Sequence, residues 1–448
     1  MEAEAKLIGN SRRDYFYATL SAIGCFMIIF VTMGMSNTIS VFYPELIREL
    51  KATYAQLAPQ TTVSTGMGFI CSTFIAPWAI KKFGVYKSLF LGICLMASKY
   101  FLFSVATAAW HVVVFNSTMG LGFGFAGMSM LAIVLSNWFY TRKKLIVTLV
   151  TGGYGFGAAV WLNVTAWFIE HYGFRVAYVA LGVIELIIGL TGLLIFVKIM
   201  PEDRGCKQIG WQQRLIDEDK IKKELAAGTA AAPDGVMFKD AVRTPAYWMI
   251  AIALLLVGGA LGAYRDFAVP MYLTTGLDRA ASAGYLSLAV LIGGFFVMFS
   301  GELAQRLDTR LYFCFFIGSF VGAMVLSYYL CFNADPALIM YIVILLGISY
   351  PYNNGAPQML ALNTFGSRDV GSINLRFYGM NLFSQAVLVF IVGVIRDYTG
   401  GFAAANAFLA GLGVFALVLL VIGIGSSEYY RAQRKALHEK KAVSSVGA

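Results

Sequence analysis

The feature that most constrains this chain is a run of twelve apolar stretches, each near 20 residues long and almost free of charge. As helices rising 1.5 Å per residue, stretches of this length just cross the ~30 Å hydrocarbon core of a bilayer. Inside lipid every backbone N–H and C=O must find its partner within the protein, which leaves helices as the natural form for such segments. We place them at 15–44, 54–80, 87–107, 110–138, 145–169, 174–199, 246–273, 280–304, 310–332, 336–362, 370–396 and 401–427. Composition agrees: 13% of residues are charged, about half of what a soluble domain carries. The fold class expected is an all-α integral membrane protein of twelve transmembrane helices.

The net charge of +10 would suggest nucleic acid in a soluble protein, but here it is distributed by the positive-inside rule. Lys81, Lys82 and Lys87 follow the second span, Arg142, Lys143 and Lys144 the fourth, and Arg306 and Arg310 the eighth. Arg431, Arg434, Lys435, Lys440 and Lys441 follow the twelfth, while the opposite loops are poorer in basic residues. This places both termini in the cytoplasm, together with the hydrophilic segment 201–244, whose opposed charges read as a solvated surface helix. The basic N-terminus before the first span lacks a small-residue cleavage signal and reads as a retained helix. The six cysteines show no paired spacing, so neither a disulfide framework nor a metal site is expected. Asn116 and Asn163 match the glycosylation pattern but fall inside spans.

The two halves repeat. Asn137-Trp138-Phe139-Tyr140-Thr141-Arg142 returns as Asn363-Thr364-Phe365-Gly366-Ser367-Arg368, and Ile169-Glu170-His171-Tyr172 as Ile395-Arg396-Asp397-Tyr398, both at an offset of 226. Two matches at one offset, at equivalent helix ends, argue for a duplicated six-helix unit, a pattern that in carriers puts the substrate near the midplane. The expected organisation is a bundle at 1–200, a cytoplasmic linker at 201–244, a second, pseudo-symmetric six-helix bundle at 245–430 and a tail at 431–448.

Pro77 to Lys87, with Gly84 among basic residues, resembles the loop between spans 2 and 3 of the major facilitator superfamily, and Gly301 to Arg310 resembles its second copy. Lys81 and Gln305 stand where that loop has its acid, a departure from the acid-based latch of the family. The stretch Asn137-Trp138-Phe139 with Gly152-Gly153-Tyr154-Gly155-Phe156-Gly157 is similar to the oxalate/formate antiporter and monocarboxylate transporter group. So are Gly120-Leu121-Gly122-Phe123-Gly124, Gly173-Phe174-Arg175 with Tyr178, and Asp397-Tyr398-Thr399-Gly400. The resemblance implies a carrier whose first, fourth, seventh and tenth helices line a cavity.

Polar residues within spans cost free energy and need a reason; charged ones cost ~2.5–3.5 kcal/mol even on insertion scales. Arg265 and Asp266 lie in the outer half of span 7, where the arginine can hold a carboxylate through its planar fork and the aspartate can take up a proton. The alternative for both is snorkelling at the interface. Arg376 lies in the first turns of span 11, beside a stripe made by Asn374, Tyr378, Asn381 and Gln385 at helical spacing. The resemblance implies a basic residue within helix eleven, matched here by helix and charge. Asn353 and Asn354 follow Pro351 in span 10, where a simple kink is the competing reading. Asn37 leads a set of small polar residues in span 1 that interhelix packing explains equally well. Lys99 and Glu185, near mid-membrane in spans 3 and 6, read as a structural ion pair, with proton coupling as the other reading.

The function implied is secondary transport of a small organic anion, a mono- or dicarboxylate, by proton symport or anion exchange. The substrate ligands would be Arg265, Arg376, Asn37, Asn353, Asn354, Tyr378, Asn381 and Gln385, with Asp266 as proton-coupling candidate. The expected setting is the plasma membrane, as a monomer, with no cofactor, no metal and no nucleic acid. Alternatives are a carrier of neutral or amphipathic compounds and a receptor on a carrier scaffold. No nucleophile elbow, metal spacing or phosphate loop supports an enzyme.

Overall fold

The computed structural model describes residues 10–226, 234–333, 335–432 and 434–435; these are 86% helical, with no strand among them. Among the described residues nine helical stretches are long and apolar enough to cross a membrane, or ten with the bent pair Pro336–Tyr352 and Pro357–Phe365 counted as one. Two of these, Tyr54–Ser104 and Leu145–Phe196, are 51 and 52 residues long. At 1.5 Å per residue each would be about 75 Å, more than twice the hydrocarbon thickness. Each is broken where glycine takes a positive φ, at Gly84 (φ 83°) and Gly173 (φ 78°), a conformation side chains with a Cβ resist. Divided there, the stretches make the twelve expected spans.

The chain forms two compact units, residues 1–230 with 279–287, and residues 231–278 with 288–448. In the first unit, Ser11 opens span 1 with a capping box to Asp14. Asp14 also accepts from the backbone N–H of Lys207 (3.1 Å), which ties the start of span 1 to the segment after span 6. The Asn137-Trp138 motif completes this tie. Asn137 donates to the Ile199 carbonyl (3.1 Å) and the Trp138 indole to the Lys198 carbonyl (2.6 Å). The Trp138 carbonyl accepts from Ile209 N–H (2.7 Å). Both motif side chains thus satisfy carbonyls at the end of span 6, where a helix leaves them without partners. Arg175 does the same for span 3, donating to the carbonyls of Ser104 and Ala106. Glycines bring spans 2, 3 and 4 together: a Cβ on Gly120 would meet the Ser64 carbonyl at 2.1 Å, and one on Gly122 the Gly92 carbonyl at 2.7 Å. Glu45 is buried and ion-paired to both Arg48 and Arg279. The two glycosylation-pattern asparagines are spent internally: Asn116 donates to the Gln60 carbonyl, and Asn163 to the Ala159 carbonyl and Ser287 hydroxyl.

The second unit repeats the pinning with different residues. Asn363 donates to Thr309 (3.0 Å), Ser427 to the Thr364 carbonyl (2.6 Å), and Val236 N–H to the Phe365 carbonyl (2.8 Å). Thr364 stands 226 residues after Trp138, so the same main-chain position accepts a bond in each half. Span 10 bends by 50° next to Pro351 and Pro357, as proline within a helix requires. The acid absent from the second loop motif has a neighbour that acts in its place. Asp308 accepts from the Tyr430 hydroxyl (2.7 Å) and pairs with Arg434 (3.3 Å), holding the segment after span 12 to the loop before span 9.

Burial pushes the Asp308 carboxyl up, but the Tyr430 hydroxyl, the Arg310 N–H and the charges of Arg434 and Arg310 outweigh it and hold it below its ordinary value of 3.8. A depressed carboxylate contributes stability above its unfolded pKa and loses it as pH falls through the folded one. Asp308→Asn should therefore lower the melting temperature at neutral pH, with the gap from wild type closing below about pH 4. A thermal melt series in detergent reads this.

Candidate functional site

Spans 1 and 7 are each interrupted near the middle, with Asn37 at the first break and Asn381 and Gln385 packed at the second. Span 1 runs as Arg12–Thr32, passes through a tight turn at Met35–Thr38 and resumes as Ile39–Leu50. Side chains bond the carbonyls around this turn, of which those of Met33 and Gly34 also keep backbone partners in Ser36 and Asn37. Asn37 donates to the Met33 and Gly34 carbonyls (3.4 and 3.2 Å), Tyr100 to the Met35 carbonyl (3.0 Å) and the Trp161 indole to the Phe30 carbonyl (3.0 Å). The side-chain oxygen of Asn37 accepts from the Tyr154 hydroxyl (3.1 Å), so Asn37 is held at both ends of its amide. Phe30 lies against Phe26, Phe156 and Trp161 with ring centroids 5.4–6.2 Å apart, and Phe156 is exposed. One wall beside the break is therefore aromatic.

Span 7 breaks at Gly258-Gly259, between Pro245–Val257 and Ala260–Leu273. Glycine is required there: a Cβ on Gly259 would lie 2.1 Å from the backbone of Gln385, and one on Gly258 2.6 Å from the Asn381 amide oxygen. The Gly259 N–H donates to the Ser384 hydroxyl (2.9 Å), and the Val257 carbonyl accepts from Tyr352 (3.4 Å). Asn381 and Gln385 thus pack against the broken backbone of span 7, while Asn374 is half-buried and Tyr378 exposed. The stripe seen in the sequence divides, its C-terminal end meeting span 7 and its N-terminal end open. The side chains of Asn353 and Asn354 lie outside the described residues.

Arg265 and Asp266 follow the break. Their side chains approach to 3.7 Å, with that of Arg265 19% exposed and that of Asp266 5%. On the same helix the Tyr264 hydroxyl bonds with those of Ser327 (2.9 Å) and Tyr272 (3.4 Å), giving the second half of span 7 a buried polar cluster. Arg376 is elsewhere. It is exposed, donates to the Ser372 carbonyl (2.8 Å) and stacks 3.7 Å over the Phe238 ring. Spans 7 and 11 run parallel, with Tyr247 beside Phe377, Gly258 beside Asn381 and Gly262 beside Gln385. From that alignment the backbones of Arg265 and Arg376 are offset by about 20 Å along the span axis. The structure brings Arg265 and Asp266 together near the break and leaves Arg376 with the segment before span 7.

Sequence reasoning missed Tyr154, Ser384 and Tyr352 as members of these clusters. Tyr154 had a signal, lying in a glycine run that brings its helix against span 1. Ser384 had one as well, sitting between Asn381 and Gln385.

The Major Facilitator Superfamily model matches residues 25–387. Monocarboxylate transporter 12 of Mus musculus is 22% identical over 419 residues, covering 89% of this chain and 83% of that protein. The 4-hydroxybenzoate transporter PcaK of Acinetobacter baylyi is 23% identical over 370 residues, covering 77% of each. Among solved structures, a bacterial homolog of the human lysosomal transporter Spinster, inward-facing and unoccupied, aligns with a TM-score of 0.64 at 14% identity over 94% of this chain and 98% of that one. The nucleoside transporter NupG aligns with a TM-score of 0.66 at 11% identity over 90% and 99%.

Two substitutions test the break in span 7. Ser384→Ala strands the buried Gly259 N–H and should cost about 1–3 kcal/mol, while Ser384→Thr keeps the hydroxyl and most of the stability. Gly259→Val forces a side chain into the backbone of span 11 and should be worse than either, at ~3 kcal/mol or more. Melting temperatures of the purified variants in detergent rank the three.

Proposed function

The chain belongs to the Major Facilitator Superfamily, and on that premise we propose that it is a secondary active carrier of small organic anions, mono- or dicarboxylates, working by alternating access. That it is a multi-pass membrane transporter follows from the family; the substrate class is our reading. The observation carrying it is Arg265, a guanidinium placed just past the break in span 7 with its side chain partly open and Asp266 beside it. A guanidinium presents paired N–H donors that match a carboxylate in one plane. In the empty carrier Asp266 neutralises that charge, and an incoming carboxylate competes for it.

Two relatives support the substrate class. Both are named for transport of carboxylates, a monocarboxylate in one case and 4-hydroxybenzoate in the other. Within the first unit, Asn37, Tyr154 and the rings of Phe30 and Phe156 give the break in span 1 a neutral and aromatic surface of its own. Arg376, set apart from Arg265, acts at the cytoplasmic end of span 11 rather than on the same anion. The driving force is proton symport or exchange of one anion for another. The setting is the plasma membrane with both termini in the cytoplasm, as the basic loops favour.

The test is uptake of labelled lactate and labelled 4-hydroxybenzoate into vesicles holding the purified protein. Arg265→Gln should reduce carboxylate uptake at least tenfold, equivalent to ~1.4 kcal/mol or more of lost binding. Arg376→Gln should slow transport without weakening half-saturation to the same degree. Wild-type rates and affinities in the Arg265 variant would end this reading.

A further inference from the structure

The first unit holds a second pair of ionisable groups within its spans. Lys99 is on the helix that follows Gly84, and Glu185 on the helix that follows Gly173. Lys99 is 7% exposed and Glu185 1%. Each acts electrostatically on the other, yet the closed ion pair expected from the sequence is not made. Among the described residues neither oxygen of Glu185 accepts a hydrogen bond. The Lys99 ammonium lies instead 3.3 Å from the Met119 sulfur and 4.3 Å from the centre of the Tyr100 ring, partners that ease a cation without carrying charge.

The other titratable groups around the pair are phenols. Tyr100, on the helix of Lys99, has its hydroxyl committed to the Met35 carbonyl. Tyr43, on the resumed half of span 1, is bonded by Gln60. Tyr178, two turns before Glu185 on the same helix, stacks on Phe42 (3.8 Å), and its hydroxyl has no partner among the described residues. None of them donates to Glu185. An ionised carboxylate is an acceptor and nothing else, so one buried without a donor bears the full cost of leaving water. A carboxyl carrying its proton escapes most of that cost.

We propose that Glu185 is an intramembrane proton-binding site, protonated in the conformation described here and closing an ion pair with Lys99 when the proton leaves. The exchange is one proton taken from or returned to water, with no other bond made or broken. The two states differ in whether spans 3 and 6 are drawn together by opposite charges or held by apolar packing alone. This gives the first unit a proton-dependent contact of its own, distinct from Arg265 and Asp266 in the second. The link to transport rests on the carrier reading above; the protonation itself does not.

Infrared spectra of the purified protein in lipid vesicles test the site directly. At neutral pH the wild type should show a protonated-carboxyl stretch that Glu185→Gln removes, and that fades in alkaline buffer as the pair closes. A wild-type spectrum unchanged by the substitution overturns the proposal. Should the Gln variant fail to fold, Glu185→Asp keeps the acid one methylene shorter and should shift the band; an unshifted band overturns the proposal equally. In vesicles with lactate or 4-hydroxybenzoate, Glu185→Gln should retain anion counterflow and lose most of the accumulation driven by a pH gradient. Unaltered accumulation there, with the infrared band lost, would cut the site from transport; absence of all carboxylate flux in the wild type would instead end the carrier reading and leave the band as the test of the site.

Discussion

A bilayer gives a backbone nothing to bond with, and the two broken helices show how this protein lives with that rule. Interrupting spans 1 and 7 releases carbonyls and N–H groups in the middle of the membrane, each of which would cost several kcal/mol if left unpaired. The solution is local in both places. Asn37, Tyr100 and Trp161 serve the carbonyls of span 1, and Ser384 and Tyr352 serve Val257 and Gly259 in span 7. Glycine makes this possible, because only without a Cβ can span 11 come close enough to deliver the Ser384 hydroxyl. The positions of Tyr154, the Phe30 cluster and Arg265 all follow from where these breaks are held.

The duplication preserved positions of constraint rather than chemistry. At the end of span 4 an indole and an amide reach the carbonyls of span 6; at the end of span 10 a serine hydroxyl after span 12 reaches the Thr364 carbonyl. The unmet groups at helix ends are the same in both halves, and unlike side chains meet them. The loop before span 9 makes the same point. Its motif lacks the usual acid, yet Asp308, three residues beyond Gln305, gathers Tyr430 and Arg434. A charge that fastens a loop needs the right place in space more than a fixed place in the motif.

The spans were legible because hydropathy over 20 residues is a property of the sequence itself, and Gly84 and Gly173 fall in the short gaps left between them. The breaks were not legible. Met33 to Thr38 carries small polar residues and Val257 to Ala260 a glycine pair, but such residues recur along the unbroken spans and do not by themselves mark where the winding stops. The polar residues of spans 1 and 11 could therefore be seen but not assigned, since a polar side chain facing a cavity and one facing a released carbonyl look alike in sequence. Asn37 and Asn381 turn out to lie against the breaks. Arg376 posed a different difficulty: its partner Phe238 is 138 positions earlier, in a segment with no periodicity to place it.

The two ionic pairs within spans separate along the same physical line. Arg265 and Asp266 are neighbours in sequence and can reach each other across 3.7 Å, so the empty arginine is never a bare cation in a low-dielectric setting. Lys99 and Glu185 sit on different helices that pack together. A pair kept for rigidity would be closed, because an open one forgoes the attraction that offsets the burial of both charges. That Glu185 remains without a donor while Lys99 rests on a ring and a thioether is the arrangement expected when the carboxyl is neutral. Protonation then sets which of two packings spans 3 and 6 prefer, and a carrier needs elements with two packings close in free energy.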